Sequence, residues 1–226
     1  MSLTVDNSTT RVIVAALTKA IIEHRLKPGS KLGEQKLATQ FGVSRTLIRQ
    51  AMFQLSQKHL VLLEPARGAF VAAPSIDEAR QVFVVRRMLE TAMVEQFVDQ
   101  ATPSNFAALR SHLKQERAAV AMGDVGSRTE LLGDFHVYIA KLMGNKVLAE
   151  LISDLISRCA LITLMYQSAH AAEHSVAEHD EIINALVARN KPLAVKLMSE
   201  HLSHVEVSLT THEHNDCIDV EMFQPA

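Results

Sequence analysis

The chain has 226 residues, enough for two domains, and its composition favours packed helices over sheets. Hydrophobic residues make up 48% of the sequence and aromatic residues 4%, with no Trp, and the dominant Ala, Leu, Val, Ile and Met suit helix packing. No apolar run reaches the roughly 20 residues of a membrane span, and the N-terminus lacks a signal-peptide layout. We therefore expect a cytoplasmic protein without membrane association.

Charge is divided unevenly between two parts of the chain. Residues 1–75 carry ten Lys and Arg against four Asp and Glu, whereas residues 76–226 carry 13 against 21. A basic surplus suits a polyanion such as DNA, although a small domain can also carry a few extra charges by chance. The two cysteines, Cys159 and Cys217, form no CxxC pair, so we expect neither a cysteine zinc cluster nor a disulfide framework.

The first 60 residues contain three predicted helices. The first runs from Thr9 to His24, where apolar residues recur on one side after possible polar caps at residues 7–9. A Pro-Gly turn separates it from a short second helix that ends at Phe41. Gly42 can adopt the left-handed conformation that ends such a helix, and Ser44 caps a third helix that extends to about Lys58. This arrangement predicts a helix-turn-helix.

The outward side of the third helix carries Arg45, Thr46 and Arg49, while its apolar residues face inward. A recognition helix reads base edges with residues of its N-terminal part. An arginine there can contact guanine through two hydrogen bonds, whereas the short hydroxyls of Ser44 and Thr46 suit phosphate oxygens. We therefore expect the arginines to read bases and the hydroxyls to set register. The alternative is that the arginines only solvate a helix face.

A β-hairpin is predicted after the third helix. The segment VLLEPARGAFV, residues 61–71, has two short apolar stretches on either side of a turn. Arg67 lies at the tip, and a basic residue on a protruding hairpin can enter the minor groove. The neighbouring Gly68 permits close approach of the backbone. The hairpin is therefore the predicted wing of a winged helix-turn-helix.

Together these features resemble the winged helix-turn-helix domain of the GntR family. The resemblance covers about 60 residues and rests on LKPGSKLGEQKLATQFGVSRTLIRQAM from residue 26, followed by HLV at residues 59–61 and RGAFV at residues 67–71. One departure is His59, where that family usually has Gly; another is Gln50, where Glu is common. The resemblance implies DNA contacts by Arg45, Thr46, Arg49, Arg67 and Gly68.

From Ile76 onward the sequence indicates successive helices, with no strand pattern. Pro, Gly and Asn interrupt the apolar periodicity at intervals. We therefore expect an all-helical antiparallel bundle over residues 76–226, following the DNA-binding domain of residues 1–75. The predicted helices are Ile76–Ala101, Ser104–Met122, Gly126–Met143, Lys146–Ala169, Ser175–Arg189 and Pro192–Thr211.

Three histidines lie on apolar helix faces of this second domain. His136, His179 and His201 each have aliphatic neighbours one turn away. His179 and His201 each lie 11 residues from Asn190, so an antiparallel hairpin would bring them to the same height. His136 could complete a cluster of imidazoles that suits zinc, nickel or another first-row divalent ion. Alternatively, each is a hydrogen-bonded core histidine.

The second domain resembles the FCD effector domain, which follows this DNA-binding module in the FadR-type branch of the GntR family. The motifs are RRMLE at 86–90, FH at 135–136, GN at 144–145, EH at 178–179 and HL at 201–202. The resemblance implies a metal held by an Asp and three His; the His positions are His136, His179 and His201. The Asp position holds Leu132, and Asp134 lies elsewhere around the helix. We expect a zinc or nickel site of lowered affinity, with open positions for water or an effector carboxylate.

Two arginines are candidates for binding the effector carboxylate that the resemblance suggests. Arg158 lies in an otherwise apolar stretch, where a buried guanidinium needs a partner. Its alternative role is an ion pair with Asp154. Arg86 is the second candidate, and its alternative is an ion pair with Glu90 one turn on.

The sequence therefore predicts a homodimeric transcriptional regulator, by default a repressor, that binds a double-stranded operator and responds to a small carboxylate. An alternative is a metal-dependent enzyme built on the three histidines. It lacks HExxH, a phosphate loop and paired carboxylates on the histidine faces. Another alternative is an architectural DNA binder, which the acidic second domain disfavours.

Overall fold

The computed structural model describes residues 3–22, 25–73, 75–123, 125–166 and 169–210. Within these residues the chain forms nine helices and one small antiparallel sheet. This confirms the predicted, mainly helical fold class, a winged helix-turn-helix followed by an all-helical bundle. Among the described helices, none has the length and apolar character that crossing a membrane requires.

Residues up to 73 form what we call the N-terminal unit, in which three helices pack on a three-stranded sheet among the described residues. Strand β3 lies in the middle and pairs antiparallel with β1 and β2. In chain order the elements are α1 (Leu3–Ile22), β1 (Lys31–Leu32), α2 (Glu34–Phe41), α3 (Arg45–Gln57), β2 (Val61–Glu64) and β3 (Gly68–Val71).

The turn between α2 and α3 follows from three local residue choices. Gly42 ends α2 with a φ of 63°, a left-handed conformation that glycine adopts without a side-chain clash. The Val43 amide donates to the Ala38 carbonyl at 3.0 Å. Ser44 caps α3, because its hydroxyl accepts a hydrogen bond from the Leu47 amide at 3.3 Å. The predicted helix-turn-helix corner is confirmed.

Two details of the N-terminal unit differ from prediction. Helix α1 begins at Leu3, so the polar residues 7–9 that were expected to cap it lie inside the helix; a capping residue type is a local preference that an extended helix overrides. The predicted end at His24 lies outside the described residues. Strand β1 was not predicted, because two residues are too short to show alternation and are held by pairing with β3.

Residues from 75 onward form the helical unit. Its helices are α4 (Ile76–Gln100), α5 (Pro103–Met122), α6 (Val125–Leu142), α7 (Lys146–Tyr166), α8 (Ala169–Val187) and α9 (Lys191–Thr210). Ser75 caps α4, and Thr102 forms a capping box with Asn105 at the start of α5. Gly123 ends α5 in a left-handed conformation. Most boundaries agree with prediction to within one residue.

The junction between α7 and α8 is the exception. The structure describes α7 as far as Tyr166, and residues 167 and 168 of its predicted end lie outside the described residues. Helix α8 begins at Ala169 rather than at Ser175. Ser175 is not a cap: its hydroxyl donates to the Ala171 carbonyl one turn earlier, inside the helix. Residues 169–174 contain Ala and Glu, which favour helix.

The two units have separate cores but contact each other. Leu161 of α7 is buried in the core of the N-terminal unit, and His59, just after α3, has its Nε2 3.1 Å from an Asp154 carboxylate oxygen on α7. His59 has a φ of 54°, which explains why the resembling family usually has Gly at this position. The end of the recognition helix is therefore attached to the helical unit.

Candidate functional site

The outward face of α3 carries the side chains that the sequence assigned to DNA. Arg45 and Arg49 expose about half of their side-chain surface or more, and Thr46 is also exposed. Ile48, Met52 and their apolar neighbours are buried on the opposite side. The helix thus presents its polar N-terminal residues to solvent, as a recognition helix must before it meets DNA.

Glu34, at the start of α2, holds both arginines of this face. One of its carboxylate oxygens lies 2.9 Å from Arg45 Nη2, and Arg49 Nε lies 2.9 Å from both oxygens. The hydrogen bond from Arg49, and then that from Arg45, lower the pKa of Glu34. Sequence reasoning missed Glu34, because its partners lie 11 and 15 residues away across the helix-turn-helix corner.

The wing presents Arg67 at the tip of the β2–β3 hairpin. Its side chain is 71% exposed, pairs with Glu64 and lies over the Phe70 ring at 5.3 Å. Gly68 follows with a φ of 102°, which a residue with a side chain rarely adopts. The hairpin tip thus exposes a basic side chain to solvent.

The structure brings together the three histidines that the sequence singled out in the helical unit. His136 on α6, His179 on α8 and His201 on α9 are all buried. His201 Nε2 lies 3.2 Å from His179 Nε2 and 3.3 Å from His136 Nε2. We call these three residues the inner cluster. The equal spacing of His179 and His201 from the Asn190 turn correctly predicted that these two residues meet.

Each imidazole of the inner cluster has a carboxylate behind it. Nδ1 of His136 lies 2.5 Å from Glu90, Nδ1 of His179 lies 2.9 Å from Glu116, and Nδ1 of His201 lies 2.7 Å from Glu178. A carboxylate accepts hydrogen bonds, so the contacts of His179 and His201 favour a proton on Nδ1 and a lone pair on the inward-facing Nε2. The sequence offered no periodic signal for Glu116, since it lies 63 residues before His179 in the chain.

The charges around the inner cluster favour a bound cation. Burial lowers the pKa of His201 to about 3 and also lowers the pKa of His136, against the opposing effect of their carboxylates. Burial alone would raise the pKa of Glu90. The charge of Arg86, and after it that of His136, outweighs the effect of burial and lowers the pKa of Glu90 to about 2. Three imidazole Nε2 atoms thus converge beside carboxylates that stay ionised. This is the donor set that divalent zinc or nickel prefers.

Leu132 lies one turn before His136, where the family resemblance implied an aspartate. It is 7% exposed and lines a cavity of about 470 Å³ that opens from the inner cluster. Asp134 also lines that cavity, but its side of the helix is exposed. Three imidazoles, all of which line the cavity, are therefore the side chains that could hold an ion at the inner cluster.

The cavity reaches from the inner cluster to the N-terminal unit. Thr18, Gln57, Lys58 and Leu60 of that unit contribute to its lining. Lys58 is the C-cap of α3, and no described carboxylate forms an ion pair with it. Sequence reasoning did not select Lys58, because only the packing of the two units brings it to the cavity. A molecule that fills this space touches both the inner cluster and the end of the recognition helix.

The two arginines proposed for effector binding have different positions. Arg86 is buried, lines the cavity and donates from Nε to Glu90 at 2.7 Å. The structure therefore contains the ion pair with Glu90 that was the alternative role of Arg86. Arg158 does not line the cavity: its side chain is 43% exposed and donates to Asp154 at 2.9 Å. The expected burial of Arg158 was wrong, because it lies on an exposed stripe of α7.

Most of the chain matches two families of known regulatory domains. The profile described as "Bacterial regulatory proteins, gntR family" matches residues 9–71, and that of the FCD domain matches residues 81–204. The chain belongs to the GntR family. It is a GntR transcriptional regulator with an FCD domain, and the family resemblance stated from the sequence is confirmed. GntR regulators bind DNA and are not enzymes, which removes the alternative of a three-histidine metalloenzyme.

Several GntR relatives cover most of the chain. YdhC of Bacillus subtilis, named an HTH-type transcriptional regulator, is 29% identical over 83% of this chain and 85% of its own length. The transcriptional repressor RspR of Escherichia coli is 24% identical over 87% of both. A GntR regulator structure from Rhodococcus sp. RHA1 is 27% identical, with a TM-score of 0.72 over 91% of this chain and 99% of its own.

Proposed function

We propose that this GntR regulator is a cytoplasmic repressor that binds its operator as a homodimer and releases it when a small carboxylate enters the helical unit. The observation that carries the proposal is the continuity of the cavity, which touches both the inner cluster and Lys58 at the end of α3. One compartment thereby connects the candidate ligand site to the recognition helix. The name of the relative RspR, a repressor, supports the sign of regulation.

DNA binding uses the outward face of α3 and the wing. Arg45 and Arg49 read base edges in the major groove, where a bidentate arginine–guanine contact contributes about 1–3 kcal/mol of discrimination. The hydroxyls of Ser44 and Thr46 contact phosphates. Arg67, with Gly68, enters the minor groove. Glu34 keeps the two base-reading guanidinium groups side by side before DNA binds.

The inner cluster holds one zinc or nickel ion through the three Nε2 atoms. The fit rests on the convergence of these atoms and on the carboxylate behind each Nδ1, an arrangement common around metal-bound imidazoles. When bound, the ion supplies open coordination positions that a carboxylate effector can fill. The chain itself orients the imidazoles and excludes solvent through the buried residues around them.

Lys58 supplies the counter-charge for the effector at the other end of the cavity. The Lys58 ammonium group, which has no ion pair among the described residues, suits a carboxylate better than Arg86, whose guanidinium already donates to buried Glu90. A ligand that pulls Lys58 toward the helical unit changes the position of the α3 C-terminus. Because α3 is the recognition helix, the ligand favours protomer arrangements that fit the operator poorly.

Dimerisation uses an apolar surface of the helical unit. Met88, Val84 and Val85 on α4 expose 67%, 44% and 41% of their surface. Burying such residues against a second copy removes apolar area from water. Two protomers then present two α3 helices to half-sites of a pseudo-palindromic operator.

The DNA-binding role is tested by gel-shift titration of a duplex that the wild-type protein selects from random-sequence DNA. We expect Arg45→Ala and Arg49→Ala each to weaken specific binding by about 10- to 100-fold. Arg80→Ala is the control, because Arg80 is an exposed, ion-paired arginine on α4, outside the N-terminal unit. Unchanged binding by both recognition-helix variants would overturn the assignment.

The ligand-binding role is tested by calorimetry with a panel of small carboxylates. The first compound that binds and releases the duplex is then titrated into Lys58→Gln, for which we expect about tenfold weaker binding through loss of a charge-assisted hydrogen bond. Lys114→Gln is the control, since Lys114 is exposed on α5 and does not line the cavity. Equal losses in both variants would contradict the role of Lys58.

A further inference from the structure

A second group of metal-binding side chains lies on the surface beside the inner cluster. His174 and Glu178 are one turn apart on α8, and His204 is on the adjacent α9. One ligand atom from each lies within 4.8 Å of the others. We call these three residues the outer cluster. His174 and His204 are 56% and 55% exposed, so solvent ions reach them directly.

Both histidines of the outer cluster face the same carboxylate oxygen. His174 Nε2 lies 3.2 Å from Glu178 Oε1, and His204 Nδ1 contacts that atom too. The two rings have centroids 5.5 Å apart. An ordinary surface ion pair needs one imidazole and one carboxylate. Here two imidazole nitrogens and one carboxylate oxygen converge closely enough to share one ion.

Glu178 is held in place from the other side. Its second oxygen, Oε2, accepts a hydrogen bond from His201 Nδ1 at 2.7 Å, and the side chain is only 12% exposed. The carboxylate is therefore ordered before any ion arrives, which reduces the entropy lost on binding. Only His174 and His204 need to settle into one rotamer.

We propose that His174, Glu178 and His204 form a second, solvent-exposed binding site for a first-row divalent ion, separate from the inner cluster but sharing Glu178 with it. Two imidazoles and one carboxylate suit nickel, zinc or copper(II), with water in the remaining positions. The site is weaker than the inner cluster, because its two histidines are exposed and lack carboxylates of their own.

Sharing Glu178 couples the two sites. An ion on Oε1 draws electron density from the carboxylate and makes Oε2 a weaker acceptor for His201 Nδ1–H. Such a partner behind a metal-bound imidazole typically changes metal affinity by about 10- to 100-fold. Filling the outer cluster therefore weakens ion binding at the inner cluster, and by linkage the inner ion weakens the outer one to the same extent.

The proposal is tested by equilibrium dialysis of untagged, full-length, EDTA-stripped protein against Ni²⁺, followed by elemental analysis. We expect two Ni²⁺ per chain at saturation in the wild type and one in His174→Ala/His204→Ala. Both replaced side chains are exposed, and circular dichroism verifies that the double variant is folded. His136→Ala removes the inner ion alone, so failure of the inner site and failure of the outer site give different results.

Two control variants separate the outer cluster from other histidines. His59→Gly removes an exposed imidazole that also faces a carboxylate, and glycine adopts its positive φ readily. His212→Ala/His214→Ala removes the histidines that follow α9 in the sequence. Both controls should retain two Ni²⁺. The proposal would be overturned if the wild type bound a single ion that His136→Ala removes, if His174→Ala/His204→Ala bound as many ions as the wild type, or if the 212/214 variant lost one.

Discussion

Chelation of the inner-cluster metal should lower the thermal stability of the protein. The three imidazoles come from α6, α8 and α9, so an ion bound to their Nε2 atoms crosslinks three helices of the bundle. Without the ion, Nε2 atoms only 3.2–3.3 Å apart converge in a buried site and nothing links all three helices there. We therefore expect EDTA to reduce the free energy of unfolding.

The magnitude follows from mass action. Free metal at about 100 times its Kd stabilises a folded protein by about 2.7 kcal/mol when the unfolded chain does not bind it. For a chain of this length, 1 kcal/mol corresponds to about 2–4 °C in Tm. EDTA should consequently lower Tm by about 5–11 °C.

The assay is circular dichroism melting of the full-length protein, with zinc or nickel and with EDTA. Measuring in the His174→Ala/His204→Ala background removes the outer cluster from the comparison. His136→Ala should melt at the same temperature in both conditions, and it remains foldable because Arg86 still pairs with Glu90. An equal EDTA shift in His136→Ala, or no shift in the parent, would refute the assignment of the inner cluster.

Three further variants test the remaining assignments. Leu132→Asp should raise zinc affinity by about 10- to 100-fold in equilibrium dialysis, because it places a carboxylate one turn before His136. Unchanged affinity would mean that position 132 does not face the ion. Met88→Glu should shift the protein from dimer to monomer in light scattering. The control Met122→Glu, at an 81% exposed position on α5, should remain a dimer. If both variants remain dimers, the α4 surface is not the dimer interface. Arg67→Ala should weaken operator binding about tenfold in fluorescence anisotropy. Its Tm should change little, since the Arg67 side chain is 71% exposed. Undiminished affinity would contradict a DNA contact by the wing.

The helix-turn-helix was predictable because its determinants are local. Gly42 ends one helix and Ser44 caps the next through bonds within a few residues, and the apolar spacing of α3 selects its buried face. The family motif adds the wing. The start of α8 at Ala169 was not predicted in the same way, because Ser175 offered a local capping signal whereas the packed helix begins six residues earlier.

Arg158 illustrates what an apolar sequence stretch does not reveal. It lies on one stripe of α7 with Val147, Leu151 and Asp154, and all four are exposed. Their spacing is that of a helix face. Sequence periodicity identifies such a face but not whether another element covers it, so burial of Arg158 was the wrong inference.

The sequence by itself determined the family, the helix order, the three histidines and the departure at Leu132. These depend on residue identity, local capping and helical spacing. Only the tertiary structure decided which carboxylate stands behind each imidazole, that Glu34 holds Arg45 and Arg49, and that Lys58 reaches the cavity. These contacts join residues far apart in the chain, and packing of whole helices sets their distances. The same packing places Glu178 between the inner and outer clusters.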